Sequence, residues 1–200
     1  MKIIDMHVHL CNRSRCSNLS AENINETLSK QIDGICLTDH WILNPKKKYS
    51  INVNVFYGVE FDCVMGDILA YGISSIPLRK RNLPANTIID HIHKQGGIAV
   101  CAHPFSNRHD GFGKYVFDYD FDAIEVNGTI LEGLQLKAKK AAIEMDIPTI
   151  GGSDAHSYRQ LNTFVTKFEE AINSIDDIVK AVKNKECKAI KISGINKYER

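Results

Sequence analysis

Histidine and acidic residues recur in this chain directly after strand-like apolar runs. Imidazole and carboxylate groups at the ends of several strands converge on one point if those strands belong to a βα barrel. Nitrogen and oxygen donors packed in this way are what divalent ions such as Mn, Fe and Zn require. The pattern therefore predicts a hydrolase that uses more than one metal ion. The segments are Asp5-Met6-His7-Val8-His9, Thr38-Asp39-His40, Gly58-Val59-Glu60, Ala102-His103-Pro104 and Ser153-Asp154-Ala155-His156.

The first segment places His7 and His9 in alternation with Met6 and Val8. Alternate residues of a strand face the same side, so both imidazoles are expected to point together. The H-x-H spacing also arises by chance on a solvated strand. Taken alone, this pair leaves metal binding and simple exposure open.

The second and third segments add His40 and Glu60. His40 follows an apolar run suited to a buried parallel strand. Its neighbour Asp39 is either a ligand or an acceptor that orients an imidazole. We favour the acceptor, because adjacent residues on an extended chain point opposite ways. Glu60 can bridge two cations about 3.5–4 Å apart, and the alternative is an exposed or salt-bridged carboxylate.

The last two segments supply His103, Asp154 and His156. Pro104 is expected to keep His103 in extended geometry. Asp154 and His156 can face the same way, and the glycines before them allow a close approach to the ions. The agreement of all these strand ends favours one shared metal site over separate structural explanations.

Apolar runs and helical segments alternate along most of the chain, which predicts a largely parallel sheet with helices outside. Runs 53–59 and 68–73 are joined by a short link and could form a hairpin. Segment 106–119 reads as a long loop that leaves from His103-Pro104 and can carry substrate contacts. Ser174 and Asp177 form a capping box before the last helix. Predicted strands are 2–8, 34–38, 53–59, 68–73, 98–102, 123–126, 149–152, 163–168 and 188–192; predicted helices are 21–31, 86–95, 131–145 and 175–185.

The composition is ordinary for a globular protein, with 44% apolar and 24% charged residues among 200. A net charge of +1 gives no electrostatic reason to expect a nucleic-acid or membrane partner, and the short run Lys46-Lys47-Lys48 reads as solvated. We find no apolar stretch near the ~20 residues of a membrane span and no signal-peptide pattern. The six cysteines lack a CxxC pair, which favours reduced thiols. We expect one cytoplasmic domain over residues 1–200.

The ordered series D-x-H-x-H, T-D-H, G-x-E, H-P and G-S-D-A-H resembles the polymerase and histidinol phosphatase (PHP) superfamily from Met1 to about Ile192. The resemblance implies an α/β fold, a distorted TIM-like βα barrel of seven strands. It also implies two or three divalent ions (Mn, Fe or Zn) and hydrolysis of phosphoesters by a metal-bridged hydroxide. By position, His7, His9, Glu60 and Asp154 would bind one ion, His40 and His156 a second, and Glu60 and His103 a third.

Some positions depart from the family pattern or need comment. Loop 10–17 lacks the His or Asp that completes the second ion site in many members. Some relatives have a similar serine- and cysteine-bearing loop, so Cys16 is either a soft ligand or an ordinary loop cysteine. Asp67 stands where relatives often have a histidine for the third ion, and a carboxylate can do the same. Asn127 matches a position near the pocket, where it would contact substrate or a metal-bound water.

For the chemistry, we expect His40, His103, Asp154 and His156 to form the catalytic group. A cationic clamp would hold the phosphoryl oxygens. Arg108 is the first candidate for that clamp and Arg159 the second, because each follows a ligand motif closely. His109, beside Arg108, is a further candidate for substrate binding. His91 and His93 belong to a predicted helix away from the strand ends.

By resemblance, small stand-alone members act on nucleotides such as nucleoside 3′,5′-bisphosphates or on short oligonucleotides. We therefore expect a small phosphorylated substrate, with no duplex nucleic acid and no membrane as partner. Three alternatives stay open. They are a histidinol phosphatase, a noncatalytic metal-binding accessory protein, and an amidohydrolase-type C–N hydrolase, whose barrel also carries H-x-H on its first strand.

Overall fold

The structure, a computed structural model, describes residues 1–43, 48–80, 83–107 and 111–192. Within those ranges the chain is a mixed α/β fold of ten strands and four α-helices. Part of the lysine run 46–48 falls outside the described residues. The strands are β1 (Lys2–Val8), β2 (Gly34–Leu37), β3 (Asn54–Tyr57), β4 (Val59–Cys63), β5 (Gly66–Tyr71), β6 (Ile98–Cys101), β7 (Ala123–Asn127), β8 (Thr149–Gly152), β9 (Phe164–Phe168) and β10 (Cys187–Lys191). The helices are α1 (Ala21–Thr27), α2 (Ala85–His93), α3 (Glu132–Glu144) and α4 (Ile175–Lys183).

The strands form two five-stranded sheets, in the orders β10-β9-β1-β2-β3 and β4-β5-β6-β7-β8. The pairs β1–β2, β2–β3, β6–β7 and β7–β8 are parallel. The other pairs are antiparallel, so the expected largely parallel sheet is found only in these two blocks. Single bridges join the sheets where the histidines lie, Val8 with Ala155 and His40 with Glu60. The described strands thus form two sheets joined by bridges, and the expected closed barrel of seven strands is not confirmed.

The hairpin differs from the predicted one. Strand β4 was not predicted, and it pairs with β5 so that Glu60 lies opposite Leu69. The predicted strand over 53–59 is interrupted at Gly58, where an added Cβ would lie 2.8 Å from the carbonyl oxygen of Ala70. Asp62 and Cys63 in the second half of β4 are not buried, so the sequence there lacks the apolar pattern that predicts a strand. After this interruption the chain continues as β4, which carries Glu60.

The predicted helices are present, with bounds that differ from the predicted ones by up to four residues. The capping box of Ser174 and Asp177 is formed, and Ser20 forms a second one with Asn23. The expected loop over 106–119 contains a short 3₁₀ helix, Gly113–Asp118. It forms because Phe112 and Val116 are buried there. In the described part of the chain, no helix is long and apolar enough to cross a membrane.

Candidate metal centre

The carboxyl end of β1 places two buried imidazoles side by side, with the Nε2 atoms of His7 and His9 3.0 Å apart. The Nδ1 of His7 lies 2.8 Å from Oε1 of Glu125, and the Nδ1 of His9 lies 3.2 Å from Oγ of Ser14. The Ser14 hydroxyl donates to Asp39 at 2.7 Å, so it accepts the hydrogen bond that Nδ1 of His9 donates. With both Nδ1 atoms donating, both Nε2 atoms present lone pairs to the same point.

Two carboxylates converge on that point as well. Oε2 of Glu60 lies 3.3 Å from Nε2 of His7 and 3.1 Å from Nε2 of His9. Oδ1 of Asp154 lies 3.4 and 3.5 Å from the same two nitrogens. Four electron-pair donors that face one another in a buried site require a cation or added protons between them. The four residues therefore fit a divalent ion that takes nitrogen and oxygen ligands.

A second group lies on the other side of Glu60. Its Oε1 is 3.4 Å from Nε2 of His103, and Oδ2 of Asp67 is 3.7 Å from the same nitrogen. Donor atoms of Glu60, Asp67 and His103 all lie within 4.8 Å of one another. Since the two oxygens of Glu60 face different groups, this carboxylate has the position of a bridge between two ions.

A third group includes a sulfur. Donor atoms of His9, Cys16, His40 and His156 lie within 4.8 Å of one another. The rings of His9 and His156 stack at 4.2 Å. Among the described residues, the buried Nδ1 of His40 has no hydrogen-bond partner. The loop after β1, which the motif pattern left incomplete, thus brings a thiol to the pair His40 and His156.

The pKa values of the candidate ligands reflect their burial and the charges packed around them. Burial opposes protonation of His9, but the carboxylates of Asp154 and Glu60 outweigh it and raise its pKa to about 9. Burial likewise opposes protonation of His103, and its hydrogen bond to Glu60 raises the pKa to about 9. Burial, reinforced by the charge of Glu60, raises the pKa of Asp67 to about 7. The metal-free centre therefore holds protons in the places that a cation would take.

The imidazoles of the third group behave differently. Burial lowers the pKa of His40, and burial followed by the charge of His9 lowers the pKa of His156. Both rings are thus neutral near pH 7, which is the form that binds metal. Burial and the nearby carboxylates of Glu60 and Asp154 raise the pKa of the Cys16 thiol, so it keeps its proton until a cation displaces it.

Backbone geometry at the strand ends is unusual. Trp41, His103 and Asp154 have φ angles of 55°, 26° and 50°. The expectation that Pro104 keeps His103 extended is wrong. The backbone N–H of His103 donates to Oε2 of Glu125 at 2.8 Å, and this bond orients the residue. Positive φ at residues other than glycine costs free energy, and it lies here where side chains must be aimed at the centre.

Sequence reasoning missed Glu125, a buried carboxylate between two buried apolar residues of β7. Its position inside an apolar run was the available signal. Asn127, which was expected to contact substrate or a metal-bound water, is fully buried. Its amide donates to Glu125 at 3.0 Å and accepts from Thr129 at 2.7 Å. The structure thus places Asn127 behind Glu125, where it orients that carboxylate.

Asp39 occupies the place favoured for it, beside the centre rather than in it. Its carboxylate accepts from the backbone N–H of Leu10 at 2.9 Å and from Ser14. It also pairs with the guanidinium of Arg13. These bonds tie the loop after β1 to the end of β2.

A cavity of about 1140 Å³ opens over the second and third groups. Its lining includes His40, Cys16 and Asp67, together with the exposed cations Arg15 and Arg79.

Of the two predicted clamp residues, only Arg159 is described, and it lies away from this cavity. Arg159 is exposed on a short 3₁₀ helix, donates to the hydroxyl of Tyr158 and is not among the residues that line this cavity. Arg108 and His109 lie outside the described residues. His91 and His93 lie on α2, where His93 contacts Asp122 at 2.9 Å.

Comparison of the sequence with known proteins gives a family match and a relative. Residues 135–187 match the family described as PHP-associated. An uncharacterised protein of Methanocaldococcus jannaschii is 30% identical over 103 residues, which cover 48% of this chain and 58% of that protein. The match thus spans less than two thirds of that relative.

Solved structures share the fold. PsfC from Pseudomonas syringae PB-5123 has a TM-score of 0.72 at 16% identity, covering 94% of this chain and 91% of that one. A proposed metal-dependent phosphoesterase from Bifidobacterium adolescentis has a TM-score of 0.62 at 15% identity, covering 91% and 96%. The lesion-specific endonuclease Q of Pyrococcus furiosus has a TM-score of 0.58 at 19% identity, covering 94% of this chain but 57% of that one.

At these identities the likeness shows the fold alone. Endonuclease Q has also been solved with a 27-mer duplex substrate, so the expectation that duplex nucleic acid is not a partner has no support here. The PHP-associated match and the shared fold confirm the resemblance to the PHP superfamily that the ordered motifs predicted.

Proposed function

We propose that the protein is a metal-dependent phosphoesterase. Its substrate would be a small phosphate ester, namely a nucleotide such as a nucleoside 3′,5′-bisphosphate or a short oligonucleotide. The observation that carries the proposal is the convergence of buried lone pairs from His7, His9, Glu60 and Asp154, next to two further donor groups. Two or three divalent ions (Mn, Fe or Zn) held there would activate a water and neutralise charge on the phosphoryl oxygens.

The chain's own residues would aim the ligands and receive the substrate. Glu125 and Ser14 hold the rings of His7 and His9 so that both Nε2 atoms face the ions. His40, His103, Asp154 and His156 are the proposed catalytic group.

The cavity beside this group, of about 1140 Å³, is large enough in volume for a small ligand such as a nucleotide. We propose Arg15 and Arg79 as the cations that meet the phosphates, because both line this cavity.

The neighbours in fold include a proposed phosphoesterase and an endonuclease, both of which act on phosphate esters by name. They favour a hydrolase over a noncatalytic accessory protein. The incomplete loop that kept the noncatalytic alternative open now contributes Cys16 to a donor group. Histidinol phosphatase and C–N hydrolase remain as rivals for the substrate.

The test is a substrate panel with Mn-loaded protein. It holds a nucleoside 3′,5′-bisphosphate, AMP, a short oligonucleotide, a duplex with an abasic site, histidinol phosphate and a small amide. Phosphate release and, for the nucleic acids, strand cleavage are measured. We expect turnover of at least one phosphate ester, its loss in His40→Ala, and its retention in the matched variant His91→Ala on α2.

Turnover of the amide instead would replace the proposal by the C–N hydrolase. No turnover of any substrate, with metal shown to be bound, would favour the noncatalytic protein.

A further inference from the structure

The third donor group includes His9, whose side chain already belongs to the first donor group. The Nδ1 of His9 faces Ser14, while its Nε2 faces Glu60 at 3.1 Å and His7 at 3.0 Å. An imidazole has one lone pair for a metal once its other nitrogen is protonated. His9 therefore belongs to the first ion, and the remaining donors of the third group are Cys16, His40 and His156.

The loop that carries Cys16 is fastened to both strands that supply these donors. The hydroxyl of the next residue, Ser17, lies 2.8 Å from the carbonyl oxygen of His9 and 3.2 Å from that of His156. The backbone N–H of Asn18 donates to the carbonyl oxygen of His156 at 2.9 Å. Ser17 is buried, so these bonds are shielded from water. Cys16 is thus placed between the ends of β1 and β8 by its own neighbours.

His156 and His40 each have a ring nitrogen that could bind a metal ion. The Nδ1 of His156 lies 3.1 Å from the carbonyl oxygen of Asp154, which favours the proton on Nδ1 and leaves the lone pair on Nε2. The buried Nδ1 of His40 makes no hydrogen bond to the described residues, and Oε2 of Glu60 lies 3.4 Å from it. A lone pair on this nitrogen faces the Glu60 carboxylate away from solvent, which is favourable only with a cation or a proton nearby.

We propose that Cys16, His40 and His156 form a thiolate-containing site for a borderline-soft divalent ion, Zn²⁺ or Fe²⁺, beside harder nitrogen and oxygen sites. Thiolate ligands favour zinc and ferrous iron, whereas carboxylates suit manganese and magnesium. Three protein ligands would leave one position of a four-coordinate ion for water or substrate, and Cys16 and His40 line the cavity. The centre is therefore asymmetric, with one soft ion and one or two harder ions.

This inference rests on the proposed metal centre but not on the proposed substrate. Its test is the absorption spectrum of the protein loaded with Co²⁺, because a thiolate ligand adds a sulfur-to-cobalt charge-transfer band in the near ultraviolet. We expect this band in the wild type and in Cys63→Ser, and its loss in Cys16→Ser. Cys63 is the matched control, since it lines the same cavity and is absent from the donor group.

Two further readouts do not depend on activity. Cys16→Ser is expected to weaken Zn²⁺ binding at one site at least about tenfold, with the other sites unchanged. In the wild type, Zn²⁺ should protect Cys16 from alkylation by iodoacetamide, as read by peptide mass spectrometry. The experiment is direct because Cys16 is exposed in the metal-free protein.

A charge-transfer band that persists in Cys16→Ser, or equal alkylation with and without Zn²⁺, would overturn the inference. A band without turnover of any phosphate ester would leave Cys16 as a ligand and overturn the phosphoesterase alone. Turnover of a phosphate ester without the charge-transfer band would support the phosphoesterase and overturn Cys16 as a ligand. A wild-type protein that binds no cobalt would overturn both.

Discussion

Oε1 of Glu125 lies 2.8 Å from Nδ1 of His7, and both side chains are completely buried. The other oxygen of Glu125 accepts the backbone N–H of His103 at 2.8 Å. One carboxylate behind the centre therefore orients the imidazole of His7 in the first donor group and the backbone of His103 in the second. This arrangement makes Glu125 the residue through which the two groups are held in mutual position.

Glu125→Gln should lower metal affinity about 10–100-fold, because an amide is a weaker acceptor and sets an N–H against one of these donors. The measurement is the metal content of the protein after equilibration against buffered free metal. Glu132→Gln, in the first turn of α3, is the matched change at an exposed carboxylate. Equal affinity in both variants would show that Glu125 does not orient His7.

Gly152→Ala should destabilise the protein by about 1–3 kcal/mol through overpacking. An added Cβ at Gly152 would lie 2.4 Å from Cβ of His7 and 2.6 Å from Oε1 of Glu125. Denaturant unfolding measures the effect. Gly133→Ala on α3 meets nothing within 4 Å, so it should be neutral or stabilise by up to about 1 kcal/mol. A Gly152 variant as stable as the Gly133 variant would contradict the close packing behind His7.

Metal binding should release protons. The pKa values of His9 and His103 are raised to about 9 in the metal-free protein, so both imidazoles are protonated at neutral pH and a metal must displace those protons. Apparent affinity should therefore rise with pH and level off above about pH 9. Calorimetry in buffers of different ionisation enthalpy counts the protons. An observed enthalpy that is the same in every buffer would contradict this prediction.

The same two groups set the pH dependence of the metal-free fold. Their folded pKa values lie above the ordinary histidine value of 6.5, so the folded state binds more protons than the unfolded state between those limits. The contribution of the two imidazoles to stability is then full below about pH 6.5 and lost as the pH rises through about 9. The midpoint of thermal unfolding should fall over that range in the metal-free protein. Metal-loaded protein should lack this fall, since the cation takes the place of the protons.

Arg15→Ala should lower kcat/KM for a phosphate ester about tenfold, through loss of a charge-assisted contact at the cavity. Arg15 is exposed and lines the cavity beside Cys16. Arg159→Ala is the comparison, because that side chain is exposed and does not line the cavity. The kinetics of both variants decide between the two arginines. A larger effect at Arg159 would restore the assignment made from its position in the sequence.

The sequence by itself placed histidines and carboxylates at the ends of predicted strands, because an apolar run marks the strand and the polar residue after it marks its end. Strands β1 and β8 have the predicted bounds, and the capping box of Ser174 is formed as its residue types predict. The strand ends did not predict which donors lie close together in one group. Glu125 lies 118 residues from its partner His7, and no local pattern reports a contact across that separation.

Tertiary structure alone decided three matters at the centre. Strand β4 starts after an interruption at Gly58 that is imposed by packing against β5. His103 takes a positive φ against the preference of a residue before proline, since a buried carboxylate captures its N–H. Cys16 joins His40 and His156 because Ser17 bonds to carbonyl groups at two different strand ends. Periodicity reports how deeply each residue is buried, whereas contacts between distant strands determine which buried groups meet.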